Sequence, residues 1–162
     1  PPVKGDKFLD FLVDELRPTL AERYRMSGDH ALMGHSSGGY FTGYALFARP
    51  GEFSRFLIGS GTHPETLKLE AQFAESHDDL RARVFIGAGG DEVNNFSMSA
   101  SRIVSRTVFL AENLRMRKYP SLALKCQLYT DRDHFTVIPS MFADGLQYLY
   151  ADEAQKLSQL PM

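Results

Sequence analysis

The sequence predicts an α/β fold in three layers, with a parallel sheet covered by helices on its two faces. Strand-like and helix-like segments alternate along the chain, and the strand-like segments are almost continuously apolar, as strands buried on both faces are. The chain has 162 residues, 43% of them hydrophobic, which is enough for one sizeable core. We therefore expect a single domain over residues 1–162, with candidate site residues at the carboxyl ends of the strands.

Helical spacing of apolar residues predicts five helices. In the first, apolar residues from Phe8 to Leu20 fall on one face, and Pro18 marks a kink or an end. The third has a proline, Pro64, in its first turn, where proline is well tolerated. The predicted helices cover residues 6–24, 37–48, 64–77, 96–117 and 138–157.

Four short apolar segments predict the strands. "HALMG" and "RFLIGSG" each end in glycine, "ARVFIGAGG" runs into a glycine-rich loop, and "LALKCQLYT" alternates apolar and polar residues. These segments cover residues 30–34, 55–61, 82–90 and 122–130. We expect the functional residues in the loops that follow these strands, because these loops share one edge of the sheet.

The loop after the first strand, Gly34-His35-Ser36-Ser37-Gly38, fits the G-x-S-x-G nucleophile elbow. We expect glycine two positions before and after Ser36 because larger side chains there would collide with neighbouring elements. The backbone N–H of Ser37, at the start of a helix, is then an oxyanion donor. The alternative is a plain glycine-rich turn, which the placement between strand and helix disfavours.

The loop after the third strand carries two adjacent carboxylates, Asp91 and Glu92. Either could orient a histidine and stabilise the imidazolium that forms during acyl transfer. A dinucleotide-binding loop is a competing interpretation, but carboxylates where a pyrophosphate would sit argue against it. Helix capping or simple solvent exposure is the structural alternative for both residues.

His134 follows the fourth strand, so the chain carries Ser36, then an acid, then a histidine in the order typical of the α/β-hydrolase sheet. His35, His63 and Tyr40 lie near the same edge and are candidates, with Ser37, for oxyanion or substrate contacts. His30 and His77 lie elsewhere. The five histidines form no metal-ligand pattern, so we expect no metal. Acyl transfer by a serine and a histidine needs no organic cofactor, and we expect none.

Composition excludes several classes of partner. A net charge of −2 with scattered charges gives no footprint for nucleic acid. No apolar stretch is long enough to span a bilayer. The single cysteine, Cys126, lies in an alternating segment and is expected to be a buried structural thiol, favouring the cytoplasm while leaving the periplasm open. The pattern of serine, acid and histidine described above, rather than composition, makes a small-molecule ester the expected partner.

Four segments together resemble the putative esterase family of α/β-hydrolases, in particular its siderophore esterase branch. They are "FLDFLVDELRPTLAERY", "LMGHSSGGYFTGYALFARPGEFSRFLIGSG", "VFIGAGGDE" and "DHFTVIPSMFADGLQYLY". By position, Ser36 matches the family nucleophile and His134 the family histidine. Glu92 aligns best with the family acid, with Asp91 a close rival, and some members work with a Ser-His pair alone.

The resemblance implies a serine hydrolase that cleaves carboxylic esters, such as siderophore or short acyl esters, through an acyl-enzyme. An acyltransferase or thioesterase would use the same residues, and a non-catalytic binding module would keep the same fold. Family members carry further strands and an oxyanion loop before the first helix of this chain. We therefore expect residues 1–162 to be the C-terminal portion of a larger domain, with an open sheet edge covered by a missing N-terminal segment or a second copy.

Overall fold

A computed structural model describes residues 2–152, which form one parallel four-stranded sheet in the order β1-β2-β3-β4. The strands are β1 (Ala31–His35), β2 (Arg55–Gly59), β3 (Ala82–Gly89) and β4 (Leu122–Tyr129). Each of the four predicted strands is present within a few residues of its expected position, and the predicted α/β class is confirmed.

Helices connect the strands, so that each crossover returns the chain to the same end of the sheet. They are α1 (Gly5–Asp10), a π-helical segment (Phe11–Leu16), α2 (Arg17–Arg23), α3 (Ser37–Ala48), α4 (Pro64–Ala74), a 3₁₀ segment (Gly90–Asn94), α5 (Phe96–Ala100), α6 (Ile103–Arg117) and α7 (Ile138–Leu149).

The two faces of the sheet bury separate hydrophobic clusters, because successive side chains of a strand point to opposite faces. In β2, Phe56 and Ile58 pack in the larger cluster with residues of α1, α3, α4 and α6. Leu57 lies between them in sequence and packs in the smaller cluster, where α7 contributes Met141 and Leu149. This arrangement gives the three layers expected from the sequence.

The first helix does not end at Pro18. The helical backbone continues from α1 through the π-helical segment and into α2, in which Pro18 takes the second position. A proline lacks the N–H that an α-helix needs and crowds the carbonyl of the preceding turn. The wider π-helical turns just before Pro18 accommodate it without ending the helix.

The single helix predicted over 96–117 is wrong, because α5 and α6 are separate helices. Arg102, between them, adopts a left-handed conformation with φ 48°. The hydroxyls of Ser99, within α5, and of Ser101, directly after it, donate to backbone carbonyls of the preceding turn, and such bonds compete with helix continuation. The last helix, predicted to reach residue 157, ends at Leu149 in α7, and residues 153–157 lie outside the described part.

The two edge strands differ from the central ones in burial. All five residues of β1 are half-buried, whereas all five residues of its neighbour β2 are buried. In the described part of the chain, β1 pairs with β2 alone. Among the helices of residues 2–152, none is both long and apolar enough to cross a membrane.

Candidate active site

Ser36 lies in a strained turn between β1 and α3. Its backbone has φ 57° and ψ −120°, a combination that costs energy in a residue with a side chain. Two hydrogen bonds hold this turn: the Ser36 N–H donates to Gly59 O at 2.8 Å, and the Tyr40 N–H donates to Ser36 O at 2.9 Å. A serine at such a turn has the backbone geometry of a nucleophile elbow.

Only some of the glycines around Ser36 are required by the space available to them. A Cβ on Gly34 would lie 2.2 Å from the carbonyl carbon and oxygen of Gly38, whereas a Cβ on Gly38 would meet nothing within 4 Å. The expectation that Gly38 is sterically required is therefore wrong. The crowded position is one residue later, where a Cβ on Gly39 would lie 2.3 Å from Gly59 O.

Glu92 and His134 form a buried pair at the same edge of the sheet. His134 Nδ1 lies 3.0 Å from Glu92 Oε2, and the two residues are only 7% and 1% exposed. The second carboxylate oxygen, Oε1, accepts from Ser60 Oγ at 2.6 Å and from the Gly89 N–H at 2.8 Å. Three donors thus compensate the charge of a buried carboxylate.

The contact to Glu92 also fixes the tautomer of the neutral His134 ring. Because an ionised carboxylate can only accept, Nδ1 of His134 carries the proton. Nε2 is then the unprotonated nitrogen that can take a proton from a nucleophile. Glu92 contacts the histidine through Oε2 and caps the 3₁₀ segment through Oε1. The capping alternative therefore applies to this carboxylate, and its role in acyl transfer stays a prediction.

Asp91 does not share this environment. Its side chain is exposed, and its backbone N–H donates to Arg132 O at 3.0 Å. Of the two candidate acids, the structure therefore brings Glu92 to His134 and leaves Asp91 on the surface. The Asp91 backbone contact nevertheless ties the 3₁₀ segment to the loop that carries His134.

The His134 loop is held in shape by Asp133. One carboxylate oxygen of Asp133 accepts from the N–H groups of Phe135 and Thr136, each at 2.8 Å, and from Thr136 Oγ at 3.0 Å. These donors hold the pKa of Asp133 below its usual value. The loop also passes over the end of β3, where a Cβ on Gly89 would lie 2.5 Å from Arg132 O.

His35 packs against His134, with the two ring centroids 4.5 Å apart and the planes tilted by 48°. Its Nε2 is buried and finds no hydrogen-bond partner among the described residues. Burial, reinforced by the neighbouring His134 imidazole, lowers the pKa of His35. His35 therefore supports the ring of His134 from the position directly before Ser36.

No hydrogen bond joins Ser36 to His134 within the described residues, a situation common in catalytic sites without substrate. Ser36 and Ser37 line a cavity of about 390 Å³, together with Tyr40 and His63. The Tyr40 and His63 rings stack with centroids 4.0 Å apart. Three of the predicted substrate contacts, Ser37, Tyr40 and His63, thus lie on one cavity wall, and His35 lies with His134 instead.

Two polar residues of this site were absent from the sequence-based prediction. Ser60 follows β2 with φ 42° and is 1% exposed, and its hydroxyl is a partner of Glu92. The "GSG" after the second strand was the available signal, since it places a serine at the same sheet edge. Asp133 was also missed, although an aspartate whose side chain can accept from the backbone two residues further on is typical of a turn.

The remaining candidates lie away from the site. Cys126 is half-buried on β4, and burial raises the pKa of its thiol. His77 stacks on Phe73 at the end of α4, and His30 precedes β1. In residues 2–152, no cluster of three or more His, Cys, Asp or Glu side chains is arranged to hold a metal.

Comparison with known proteins identifies the family of the chain. A family model described as Putative esterase matches residues 2–128. The chain is 28% identical over 171 residues to the siderophore enterobactin esterase of Emericella nidulans, an alignment that covers 90% of this chain and 56% of that protein.

Two solved structures share the fold. The siderophore hydrolase EstA from Aspergillus nidulans matches with a TM-score of 0.82 at 24% identity, covering 90% of this chain and 56% of EstA. An IroE-like serine hydrolase from Shewanella oneidensis matches with a TM-score of 0.77 at 23% identity, covering 91% of this chain and 48% of that one. The fold is therefore that of α/β-hydrolases, and the chain spans about half the length of these relatives.

Proposed function

The chain belongs to the Putative esterase family, and on this premise we propose that it hydrolyses carboxylic esters with Ser36 as nucleophile. One observation carries the proposal: the strained Ser36 turn and the buried Glu92–His134 pair share one edge of the sheet. Backbone strain at a loop residue costs stability, and strained residues and buried titratable pairs are both concentrated at functional sites.

In the proposed reaction, Ser36 Oγ attacks the acyl carbon while Nε2 of His134 takes the hydroxyl proton. The Ser37 N–H, free at the start of α3, donates to the oxyanion. His134 then gives its proton to the departing alcohol as the ester C–O bond breaks. Water, activated by His134, cleaves the acyl-enzyme and releases the acid, which restores Ser36.

Glu92 is proposed to hold the imidazole of His134 in the tautomer that these reaction steps require, and to stabilise the imidazolium that forms. Asp91, being exposed, is not given this role. The proposed substrates are siderophore or short acyl esters. The siderophore proposal is supported by the names of the relatives from Emericella and Aspergillus.

We also propose that residues 1–162 are the C-terminal portion of one larger catalytic domain. The chain covers about half of each of the matched relatives, and β1 presents half-buried apolar residues on a strand paired along one side. An apolar strand with one unpaired edge favours further pairing at that edge. A preceding segment or a second copy of the chain would supply the additional strand.

The test is labelling with a fluorophosphonate, which reacts with activated serines, followed by intact mass and peptide mapping. We expect one adduct on Ser36 that disappears in His134→Ala, while Ser37→Ala, at the adjacent serine, still labels. Hydrolysis of 4-nitrophenyl hexanoate by the same proteins measures turnover. A folded protein that neither labels nor turns over would contradict the proposal and favour a binding module on the same fold.

Acyl transfer is distinguished by the acceptor. With an alcohol or thiol added, a transferase forms a new ester or thioester, whereas a hydrolase releases the free acid. We expect the free acid as the main product.

A further inference from the structure

Arg106 lies on the wall of the cavity that contains Ser36. It stands in the first turn of α6, and that turn contains no acidic residue. The side chain is half-buried, and no carboxylate oxygen of residues 2–152 lies within 4.0 Å of its guanidinium nitrogens. A cation is disfavoured near a helix N-terminus by the helix dipole, so its position is not explained by the stability of α6.

The other half-buried or buried arginines all have a carboxylate partner. The pairs are Arg17–Glu52, Arg49–Asp14, Arg55–Asp29 and Arg83–Asp152. Within the described part of the chain, Arg106 is the exception. A partly desolvated guanidinium without a counter-charge is expected where an external anion completes the pairing.

The surroundings of Arg106 favour an anion. Among the residues that the structure describes, none that lines the cavity is an aspartate or glutamate. Desolvation and then the positive charge of Arg106 lower the pKa of His63, against the opposing charge of Glu65. The His63 Nδ1 accepts the Glu65 N–H at 3.2 Å, so the ring proton lies on Nε2, a second donor on a residue that lines the same cavity.

We propose that Arg106 binds an anionic group of the substrate, so that the preferred substrates are esters with a negative charge, such as a carboxylate, near the scissile carbonyl. The inference rests on the proposed function, since it takes Ser36 as the attacking group. A guanidinium suits this role because its planar donors can bind both oxygens of a carboxylate. Arg106 is then a specificity-determining residue, separate from the groups that transfer protons.

Two esters of equal length test the charge requirement. The 4-nitrophenyl monoester of adipate carries a terminal carboxylate, and 4-nitrophenyl hexanoate is its neutral counterpart. In Arg106→Gln, we expect the ratio of kcat/KM for the adipate ester to that for the hexanoate ester to fall by about tenfold or more, as for a lost charged hydrogen bond. Arg115→Gln is the control, because it removes the same charge from an exposed position on α6.

A binding measurement separates this inference from the proposed function. Titration calorimetry of both esters is performed with Ser36→Ala and with Ser36→Ala/Arg106→Gln. If the wild-type chain hydrolyses neither ester, the proposed function fails, but tighter binding of the adipate ester that depends on Arg106 still supports the anion site. The anion site would be overturned if Arg106→Gln weakened the binding of both esters equally, or if it left the preference for the adipate ester unchanged.

Discussion

Nδ1 of His134 lies 3.0 Å from Oε2 of Glu92, although the two residues are 42 positions apart in the chain. Glu92 follows β3 and His134 follows β4, and these two strands are neighbours in the sheet. The pair is buried from solvent. Because the carboxylate also binds Ser60 and the Gly89 N–H, its position is determined by three elements at once.

Replacing the acid tests whether this contact orients the histidine. In Glu92→Gln, the carboxamide no longer selects the tautomer with Nδ1 protonated, and we expect kcat to fall by about 10²- to 10⁴-fold. Asp91→Asn, at the exposed neighbouring carboxylate, is expected to keep wild-type activity. Hydrolysis of 4-nitrophenyl hexanoate measures both. The assignment would be reversed by the opposite ranking of the two variants.

His35 is predicted to position His134. His35→Ala removes the ring packed 4.5 Å from the His134 ring, so we expect lower kcat with KM little changed, whereas His35→Phe keeps a ring there and most of the activity. Steady-state kinetics of the two variants measure the difference. Equal activity in the alanine and phenylalanine variants would show that this packing is unimportant for turnover.

The same histidine contributes to the pH dependence of stability. The pKa of His35 is lowered in the folded protein, so the unfolded chain binds more protons below the ordinary histidine value of about 6.5. The contribution of His35 to the free energy of unfolding is therefore most favourable above that pH, and stability is lost as the pH falls below it. Urea unfolding at pH 7.5 and 5.5 is expected to show a smaller loss in His35→Phe than in the wild type, despite the opposing charge of Glu92. An identical loss in the two proteins would contradict this contribution.

The two glycines of the elbow motif are predicted to respond very differently to alanine. A Cβ on Gly34 meets backbone at 2.2 Å, so Gly34→Ala is expected to lower the free energy of unfolding by about 3 kcal/mol or more, or to prevent folding. Gly38→Ala adds a Cβ in open space on a helix and should change it by about 1 kcal/mol or less. Urea denaturation compares them, and equal destabilisation would refute the steric argument.

The open edge of β1 gives a prediction about association. If a further strand normally covers it, the 162-residue chain alone should self-associate through this edge or unfold without a sharp transition. Sedimentation velocity and thermal unfolding by circular dichroism test both. A monomer that unfolds cooperatively at high temperature would show that the edge needs no partner.

Local patterns in the sequence determined most of the fold and the identity of the candidate residues. Apolar strands ending in glycine, helical spacing between them and the order of Ser36, the acid and His134 are short-range or sequential features. The errors lie where local signals compete. Pro18 predicts a kink or an end, but the π-helical segment before it allows the helix to continue. The serines before Arg102 interrupt a predicted helix that contains neither glycine nor proline.

Tertiary structure decided the contacts across the sheet edge. The sequence left Asp91 and Glu92 as rivals, and only the path of the loop after β4 shows which carboxylate faces His134. The contact of Ser60, the crowding at Gly39 and the place of Arg106 on the cavity wall likewise depend on which strands and helices become neighbours. Such contacts join residues distant in the chain, so their geometry is set by packing, whereas the sequence alone determines which residues follow each strand.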